Sequence, residues 1–149
     1  MAGHTYFEAY YHIVWTAKRR EPLISEQIEP AVYGYIRKRC TELGVLVYAL
    51  DGTENHSHLV CSILPRLAVA EVTEKIKGAS SHFINHLPDR GWRLYWQPGY
   101  SCLTFPKKDL ARVIAYVEDQ KRHHAEGTLW ASLERLGEEL DNEDSPASE

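Results

Sequence analysis

The sequence predicts an α+β fold: a ferredoxin-like or split βαβ sandwich in which an antiparallel sheet carries helices on one face. Two observations lead to this prediction. Apolar runs of strand length alternate with amphipathic segments of helical period in the order β-α-β-β-α-β-α. The 149 residues suit one domain, and a hydrophobic fraction of 44% is enough for a compact core.

The chain begins with a predicted strand that is followed by a helix. Residues 6–16 are β-branched and aromatic, which is typical of a central strand buried on both faces, and Pro22 breaks the run. Ser25 is a suitable N-cap for a helix over 25–42, because apolar residues then recur at helical spacing until Gly44.

Two further strands follow the first helix. Residues 45–50 and 58–64 are apolar runs, and the polar stretch 51–55 lies between them. Pro65 closes the second run, so we expect two adjacent buried strands.

The second half of the chain adds a helix, a strand and a third helix. Near-helical spacing of apolar residues predicts a helix over 67–87, which Pro88 ends. Residues 100–105 form a strand closed by Pro106, and 107–125 have the apolar face of an amphipathic helix.

The C-terminal segment differs in composition from the rest. Leucines in 129–140 recur at offsets of four, three and four, which predicts a short amphipathic helix that docks on the body or on a second subunit. Residues 141–149 are acidic and almost free of hydrophobic side chains, so we expect disorder. The chain therefore divides into a main domain over 1–126 and a short helix with an acidic tail over 127–149.

Composition argues against a membrane or secreted protein. No apolar run approaches the length that spans a bilayer, and residues 1–5 lack the basic and apolar regions of a signal peptide. We therefore expect a cytoplasmic protein without a membrane partner. Cys40, Cys61 and Cys102 are odd in number and show no CxxC spacing, so we expect reduced, packed thiols.

The net charge of −4 is unevenly distributed. Residues 134–149 contain seven acidic residues and one arginine, so the remainder has 16 basic and 14 acidic residues. Each basic cluster alone fits an ordinary solvated surface, but five in one small domain favour a polyanionic partner. These clusters lie at 18–20, 37–39, 75–77, 107–108 and 121–124.

His56 and His58 are separated by one residue at the start of the second inner strand. Alternate residues of a strand share a face and lie about 6.6 to 7 Å apart, so two imidazoles can converge on one metal ion. A histidine pair also occurs as hydrogen-bonded polar residues at a sheet edge. The pair therefore suggests a metal site and leaves the structural alternative open.

Tyr116 and Gln120 lie four residues apart in the third predicted helix. Such a pair shares one helical face, with Cβ atoms about 5 to 6 Å apart, so the phenol and the carboxamide would face outward together. Taken alone, this pattern favours an amphipathic surface tyrosine with no chemical role.

Five blocks occur in order along the chain, at 11–20, 55–59, 75–81, 96–100 with Thr104, and 116–120. In this order they resemble the small single-tyrosine transposases of bacterial insertion sequences, the IS200-like members of the HUH endonuclease superfamily. Two positions depart from the family pattern: Ser57 replaces a bulky hydrophobic residue, and His82 replaces a basic residue that is often present. In chain order, the blocks look like the family's first strand with its basic exit, metal-binding strand, second-helix signature, aromatic block and nucleophile helix.

The resemblance implies a DNA transposase that cuts and rejoins single-stranded DNA. Tyr116 is the implied catalytic nucleophile, which forms a 5'-phosphotyrosine intermediate and so conserves the bond energy for rejoining. The implied ligands of a Mg²⁺ ion, with Mn²⁺ as an alternative, are His56, His58 and Gln120.

The resemblance also implies two kinds of partner. One is single-stranded DNA with hairpin ends, and the other is a second copy of the chain, in a homodimer whose active sites are completed across subunits. Basic side chains would hold the DNA backbone. The candidate nucleic-acid contacts are Lys18, Arg19, Arg20, Lys75, Lys77, Lys121 and Arg122.

Three other functions fit parts of this pattern. A domesticated, non-catalytic descendant would bind hairpin DNA without cutting it. A metal-dependent phosphoesterase would use His56 and His58 with an activated water and leave Tyr116 dispensable. An interaction domain would use none of these groups chemically.

Overall fold

The protein is built on a four-stranded antiparallel sheet within the described part of the chain. The computed structural model describes residues 5–88 and 93–126. Its strands are β1 (Tyr10–Thr16), β2 (Leu46–Gly52), β3 (His56–Ser62) and β4 (Ser101–Phe105). They lie in the order β2-β3-β1-β4, and every neighbouring pair is antiparallel. The predicted α+β class and ferredoxin-like topology are confirmed.

The helices follow the predicted order, with different boundaries. The first helix begins at Glu29, later than predicted. The Ser25 carbonyl accepts hydrogen bonds from the amides of Ile28 and Glu29, and its hydroxyl does not cap the helix as predicted. Gly44 ends that helix as predicted, with a φ of 78°. The helices are α1 (Glu29–Leu43), α2 (Val69–Asn85), α3 (Leu110–Glu118) and α4 (Gln120–Glu126), with 3-10 turns at Lys18–Arg20 and Lys107–Asp109.

The main core lies between one face of the sheet and the two helices α1 and α2. Ile13 and Leu59 of the central strands share one buried cluster with Ile36 of α1 and Ile76 of α2. Complete burial of a side chain of this size contributes about 1.5 to 3 kcal/mol. This core fixes β1 and β3 at the centre of the sheet.

A second, smaller core covers the opposite face of the sheet. It joins Ala49 of β2 and Val60 of β3 to Val113 and Val117 of α3. The prediction of helices on one face therefore holds for α1 and α2 but not for α3. The physical reason is that the central strands carry apolar residues on both faces, such as Leu59 on one and Val60 on the other, so each face requires a cover.

The predicted helix over 107–125 is divided into three parts. A 3-10 turn precedes α3, and Asp119, with φ −116° and ψ 27°, separates α3 from α4. The Asp119 carboxylate pairs with Arg122, and this hydrogen bond lowers the pKa of Asp119 below its ordinary value. Tyr116 and Gln120 consequently belong to different helices.

Several predictions concern segments or properties away from the sheet. The predicted helix over 129–140 and the acidic tail over 141–149 lie outside the described residues. Among the residues that are described, no helix is long and apolar enough to cross a membrane. Cys40, Cys61 and Cys102 are free thiols, as predicted. Burial raises the pKa of Cys40 to about 12 and that of Cys102 to about 11.

Candidate metal centre and tyrosine

The histidine pair opens strand β3 on the face that α3 covers. His56 and His58 are 3% and 0% exposed, and their ring centroids lie 5.0 Å apart. They alternate with Ser57, which faces α1, and they share their face with Val60 of the smaller core. The strand thus presents both imidazoles to a buried space beneath α3 and α4.

The His56 ring is oriented by the loop that precedes it. Its Nδ1 donates a hydrogen bond to Asn55 Oδ1 at 2.7 Å and lies 3.0 Å from Thr53 Oγ1. Thr53 Oγ1 also donates to Asn55 Oδ1 at 3.0 Å. Since Nδ1 is engaged, Nε2 is the nitrogen that would coordinate an ion.

The His58 ring is oriented by a histidine that the sequence analysis placed in the first strand without a role. His58 Nδ1 and His12 Nε2 lie 2.8 Å apart, and the two rings stack with centroids 5.0 Å apart. His12 is 1% exposed and lies beside β3 because β1 and β3 are paired. The alternation of side chains along a strand could have indicated this contact, since His12, Val14 and Thr16 share one face of β1.

A third imidazole lies against the pair. Ligating nitrogens of His56, His58 and His124 lie within 4.8 Å of one another, and His124 is carried by α4. His124 was not predicted as a metal ligand. The available signal was its position four residues after Gln120, on the same helical face.

Gln120, the predicted third ligand, lies next to this histidine cluster. It is fully buried, and its Oε1 accepts a hydrogen bond from His124 Nε2 at 3.2 Å. Its Nε2 donates to the backbone carbonyl of Tyr116 at 3.4 Å. The carboxamide therefore connects the tyrosine helix to His124.

The donor set of the histidine cluster fits a divalent metal ion. Imidazole nitrogens are neutral ligands that suit Zn, Cu, Fe and Ni. The Nδ1 atoms of His56 and His58 both have a hydrogen-bond partner, as the second ring nitrogen of a metal-binding histidine usually does. Neutral ligands leave the positive charge of the ion undiminished, which favours an anionic oxygen as a further ligand.

Tyr116 lies beside the histidines and is buried, contrary to the prediction that it faces outward. It is 5% exposed, and its ring centroid lies 6.4 Å from that of His58. His123 stacks on the phenol ring at 4.6 Å. The reason is that α3 covers the second face of the sheet, so a position that looked solvent-facing points into the smaller core.

A cleft of about 410 Å³ opens beside Tyr116. Two arginines, Arg112 and Arg122, contribute to its lining together with Asp119 and His123. Arg122 pairs with Asp119, and Arg112 lies 3.6 Å from Asp109, so an anionic backbone that approaches the phenol would compete with these carboxylates for the arginines.

Ser57, the polar residue between the two histidines, has a specific partner. Its Oγ lies 3.1 Å from the phenolic oxygen of Tyr33 in α1, and both side chains are buried. Burial raises the pKa of Tyr33 above its ordinary value, so the phenol remains a neutral hydroxyl. The departure from a bulky hydrophobic residue thus changes the packing beneath the strand and leaves the ligands in place.

The predicted DNA contacts at 18–20 lie on an exposed turn next to the histidines. Lys18, Arg19 and Arg20 follow β1, whose last residue, Thr16, pairs with His56. The turn is therefore at the same end of the sheet as the histidine cluster. Lys75 is also exposed, and its ammonium pairs with Glu71 at 2.8 Å.

Two other predicted contacts, Lys121 and Arg122, are engaged within the chain. Lys121 donates to Glu29 at 2.8 Å and to Asp51 at 3.0 Å. Desolvation lowers the pKa of Lys121, but these two hydrogen bonds together outweigh it and raise the pKa. Arg122 pairs with Asp119. A phosphate would compete with these carboxylates.

Lys77 occupies a different position from the one predicted. Its side chain is 5% exposed, and its ammonium donates to the carbonyls of Gln97 at 2.8 Å and Gly99 at 2.7 Å. This buried cation holds a loop, and a surface phosphate contact does not fit its position.

The chain is similar to a known protein family and to several known proteins. The family model described as "Transposase IS200 like" matches residues 5–120. The ISDra2 transposase TnpA of Deinococcus radiodurans is 26% identical over 123 residues, which cover 79% of this chain and 87% of that relative. The transposase of insertion sequence element IS200 from Salmonella typhimurium is 26% identical over 143 residues, covering 93% and 87%.

Solved structures show the same fold. A protein from Deinococcus radiodurans assigned as a transposase superposes with a TM-score of 0.60 at 24% identity, covering 80% of this chain and 97% of that one. A REP-associated tyrosine transposase bound to a REP hairpin gives a TM-score of 0.61 at 13% identity, covering 87% and 76%.

The matched range 5–120 includes all four strands of the sheet, the histidine pair and Tyr116. The family model and the curated relatives define the class of protein as a transposase. The chain belongs to the IS200-like transposase family.

Proposed function

We propose that this transposase cuts and rejoins single-stranded DNA by nucleophilic attack of Tyr116, assisted by a divalent metal ion. One observation carries the proposal: Tyr116 and the histidine cluster occupy the same buried space, with the Tyr116 and His58 rings 6.4 Å apart. A surface tyrosine without a chemical role would not need to lie near the histidines, and a hydrolase that activates water would not need a tyrosine beside them.

The residues that would hold the ion are His56 and His58, with His124 or Gln120 as the third ligand. When bound, the ion polarises the scissile phosphate and stabilises the negative charge that develops on it. Imidazole ligands favour Mn²⁺ or Zn²⁺ over Mg²⁺ by affinity, so use of Mg²⁺ would depend on its abundance.

The chemistry balances around the phenol of Tyr116. Its oxygen loses a proton and bonds to phosphorus, while the bond from phosphorus to the 3' oxygen breaks and that oxygen gains a proton. The products are a 5'-phosphotyrosine and a free 3'-hydroxyl, and attack by a second 3'-hydroxyl reverses the step.

The proposed substrate is single-stranded DNA with hairpin ends. The basic turn at 18–20 lies beside His56, and the arginine-lined cleft opens beside Tyr116. A fold relative was solved bound to a REP hairpin. These features support a DNA path that passes both groups.

The experiment is incubation with hairpin-bearing single-stranded DNA and Mn²⁺ or Mg²⁺, followed by a denaturing gel. We expect a protein–DNA adduct from the native chain and none from Tyr116→Phe, which keeps the ring and removes the nucleophile. Cleavage that survives in Tyr116→Phe would favour a hydrolase with an activated water. Binding without an adduct in the native chain would favour a non-catalytic, domesticated protein.

A further inference from the structure

The basic turn, defined as Lys18–Arg20, adopts a backbone conformation that its sequence does not favour. Arg19 and Arg20 have φ values of 57° and 55°. The left-handed region is disfavoured for residues with a Cβ. Two local backbone hydrogen bonds close the turn, from the Arg20 amide to the Ala17 carbonyl at 2.9 Å and from the Glu21 amide to the Lys18 carbonyl at 3.1 Å. Contacts from elsewhere in the chain add to these bonds, and the first is the Lys18 amide, which donates to the Tyr95 carbonyl at 2.8 Å.

Gln97 supplies the contact at the centre of the turn. Its Oε1 accepts a hydrogen bond from the Arg19 amide at 2.8 Å. Its own amide donates to the Thr16 carbonyl at 2.8 Å, which fixes Gln97 to the end of β1. The side chain is 8% exposed, so this hydrogen bond is shielded from water.

Lys77 and Ser80 of α2 hold the segment that carries Gln97. The buried Lys77 ammonium donates to the carbonyls on either side of Pro98, those of Gln97 and Gly99. One helical turn further on, Ser80 Oγ accepts a hydrogen bond from Trp96 Nε1 at 3.0 Å. The loop is thereby fixed to a helix of the main core.

The same turn is connected to the histidine strand. The Ala17 amide, just before the turn, donates to the Asn55 carbonyl at 2.7 Å. The Asn55 side chain in turn accepts from His56 Nδ1. Arg19 and Arg20 are exposed and follow Ala17 by two and three residues, so both lie close in sequence to a contact with the loop that orients His56.

We propose that Gln97 and Lys77 are positioning residues, which hold the basic turn so that Arg19 and Arg20 grip the phosphates of the DNA strand entering the histidine site. This inference rests on the proposed function, because it assumes that a DNA strand passes there. Lys77 acts through Gln97 and does not itself touch DNA.

The test is the salt dependence of binding to hairpin-bearing single-stranded DNA in EDTA, so that no metal chemistry intervenes. For single strands, log K falls with log salt with a slope of about 0.7 per phosphate contact. We expect Arg19→Ala/Arg20→Ala to reduce this slope by about 1.4. Gln97→Ala alone should produce much of the same loss although it removes no charge.

Non-additivity distinguishes positioning from simple destabilisation. Added to Arg19→Ala/Arg20→Ala, the Gln97→Ala change should have no further effect on the slope. Lys77→Met should reproduce the Gln97→Ala result, and exposed Gln27→Ala is the matched control without effect. If Gln97→Ala fails to fold, Gln97→Asn provides the same comparison, because its side chain is one methylene shorter and keeps the amide.

An unchanged slope in Gln97→Ala or Gln97→Asn, or losses that add to those of the arginine variant, would overturn the inference. Failure of the proposed function has a separate signature. A native chain that binds with an arginine-dependent slope but forms no adduct with metal would refute the chemistry and leave the positioning role standing.

Discussion

His58 illustrates how a single residue in this site depends on a partner far away in the sequence. Its Nδ1 contacts His12 Nε2 at 2.8 Å across the β1–β3 pair. If Nε2 coordinates an ion, His58 carries its proton on Nδ1 and donates it to His12. His12 thereby fixes both the tautomer and the ring orientation.

The first prediction concerns the third metal ligand. His124→Ala should weaken Mn²⁺ binding by about tenfold or more, because it removes an imidazole that lies with the His56 and His58 nitrogens. Gln120→Ala should weaken binding less, since Gln120 supports His124 through a hydrogen bond. Isothermal titration calorimetry with Mn²⁺, supported by the visible absorption of bound Co²⁺, measures both.

Exposed His82→Ala in α2 is the matched control and should leave metal binding unchanged. A larger loss in Gln120→Ala than in His124→Ala would show that the carboxamide is the ligand, as the family resemblance implies, and would assign His124 a supporting role.

For single residues, the sequence predicted those positions that depend only on the spacing of neighbours along the chain. The strand period placed His56 and His58 on one face, and the structure has them there. His12 and His124 were not predicted, because their contacts depend on strand pairing and on the placement of α4. Lys77 was misplaced because burial of a cation depends on carbonyls twenty residues away, at Gln97 and Gly99.

Among the elements, the β2–β3 hairpin determines where the histidines begin. Gly52 ends β2 and pairs with Ser57, and the Thr53 amide donates to the His56 carbonyl at 3.0 Å. A Cβ at Gly52 would collide with the His56 carbonyl and would lie 2.6 Å from the Tyr33 phenolic oxygen. Only glycine allows β2 to approach β3 this closely.

The second prediction is that Gly52→Ala destabilises the fold and disturbs the metal site together. Overpacking of this kind costs about 1 to 3 kcal/mol of unfolding free energy, measurable by urea denaturation. Because the displaced atoms belong to His56 and its neighbours, Mn²⁺ affinity should fall in the fraction that remains folded.

Gly34→Ala is the control for the glycine change itself. Gly34 is exposed in α1, and a Cβ there meets nothing within 4 Å. Alanine should raise the unfolding free energy by about 0.5 to 1 kcal/mol and leave Mn²⁺ binding unchanged. Unaltered Mn²⁺ binding in Gly52→Ala would contradict the role given to the hairpin.

Sequence periodicity predicted the elements themselves well and their ends less well. The apolar face of the third helix was correct for Val113 and Val117. The interruption at Asp119 was not predicted, because helical spacing continues through it and the break depends on how α3 and α4 pack.

For the whole molecule, the cover on both faces of the sheet decides where Tyr116 meets the histidine cluster. Helices α1 and α2 cover one face, and α3 brings Tyr116 over the other, against the histidines of the same chain. The predicted completion of active sites across a homodimer is therefore not required by this conformation. The order of elements predicted the sheet, but not which face the last helix would occupy.

The third prediction follows from this placement. A mixture of Tyr116→Phe with His58→Ala should form no more DNA adduct than either variant alone, because each chain then lacks one half of its own site. Restored adduct formation would establish an exchanged homodimer, and chromatographic sizing would show whether the chains associate.

The central claim is that Tyr116 bonds covalently to the 5' phosphate of cleaved DNA. Its most direct measurement is mass spectrometry of the digested adduct formed with Mn²⁺ and hairpin-bearing single-stranded DNA. We predict a peptide that carries a nucleotide on Tyr116, joined through a 5'-phosphate, together with a released fragment ending in a 3'-hydroxyl. A nucleotide on another residue, or cleaved DNA with no modified peptide, would contradict it.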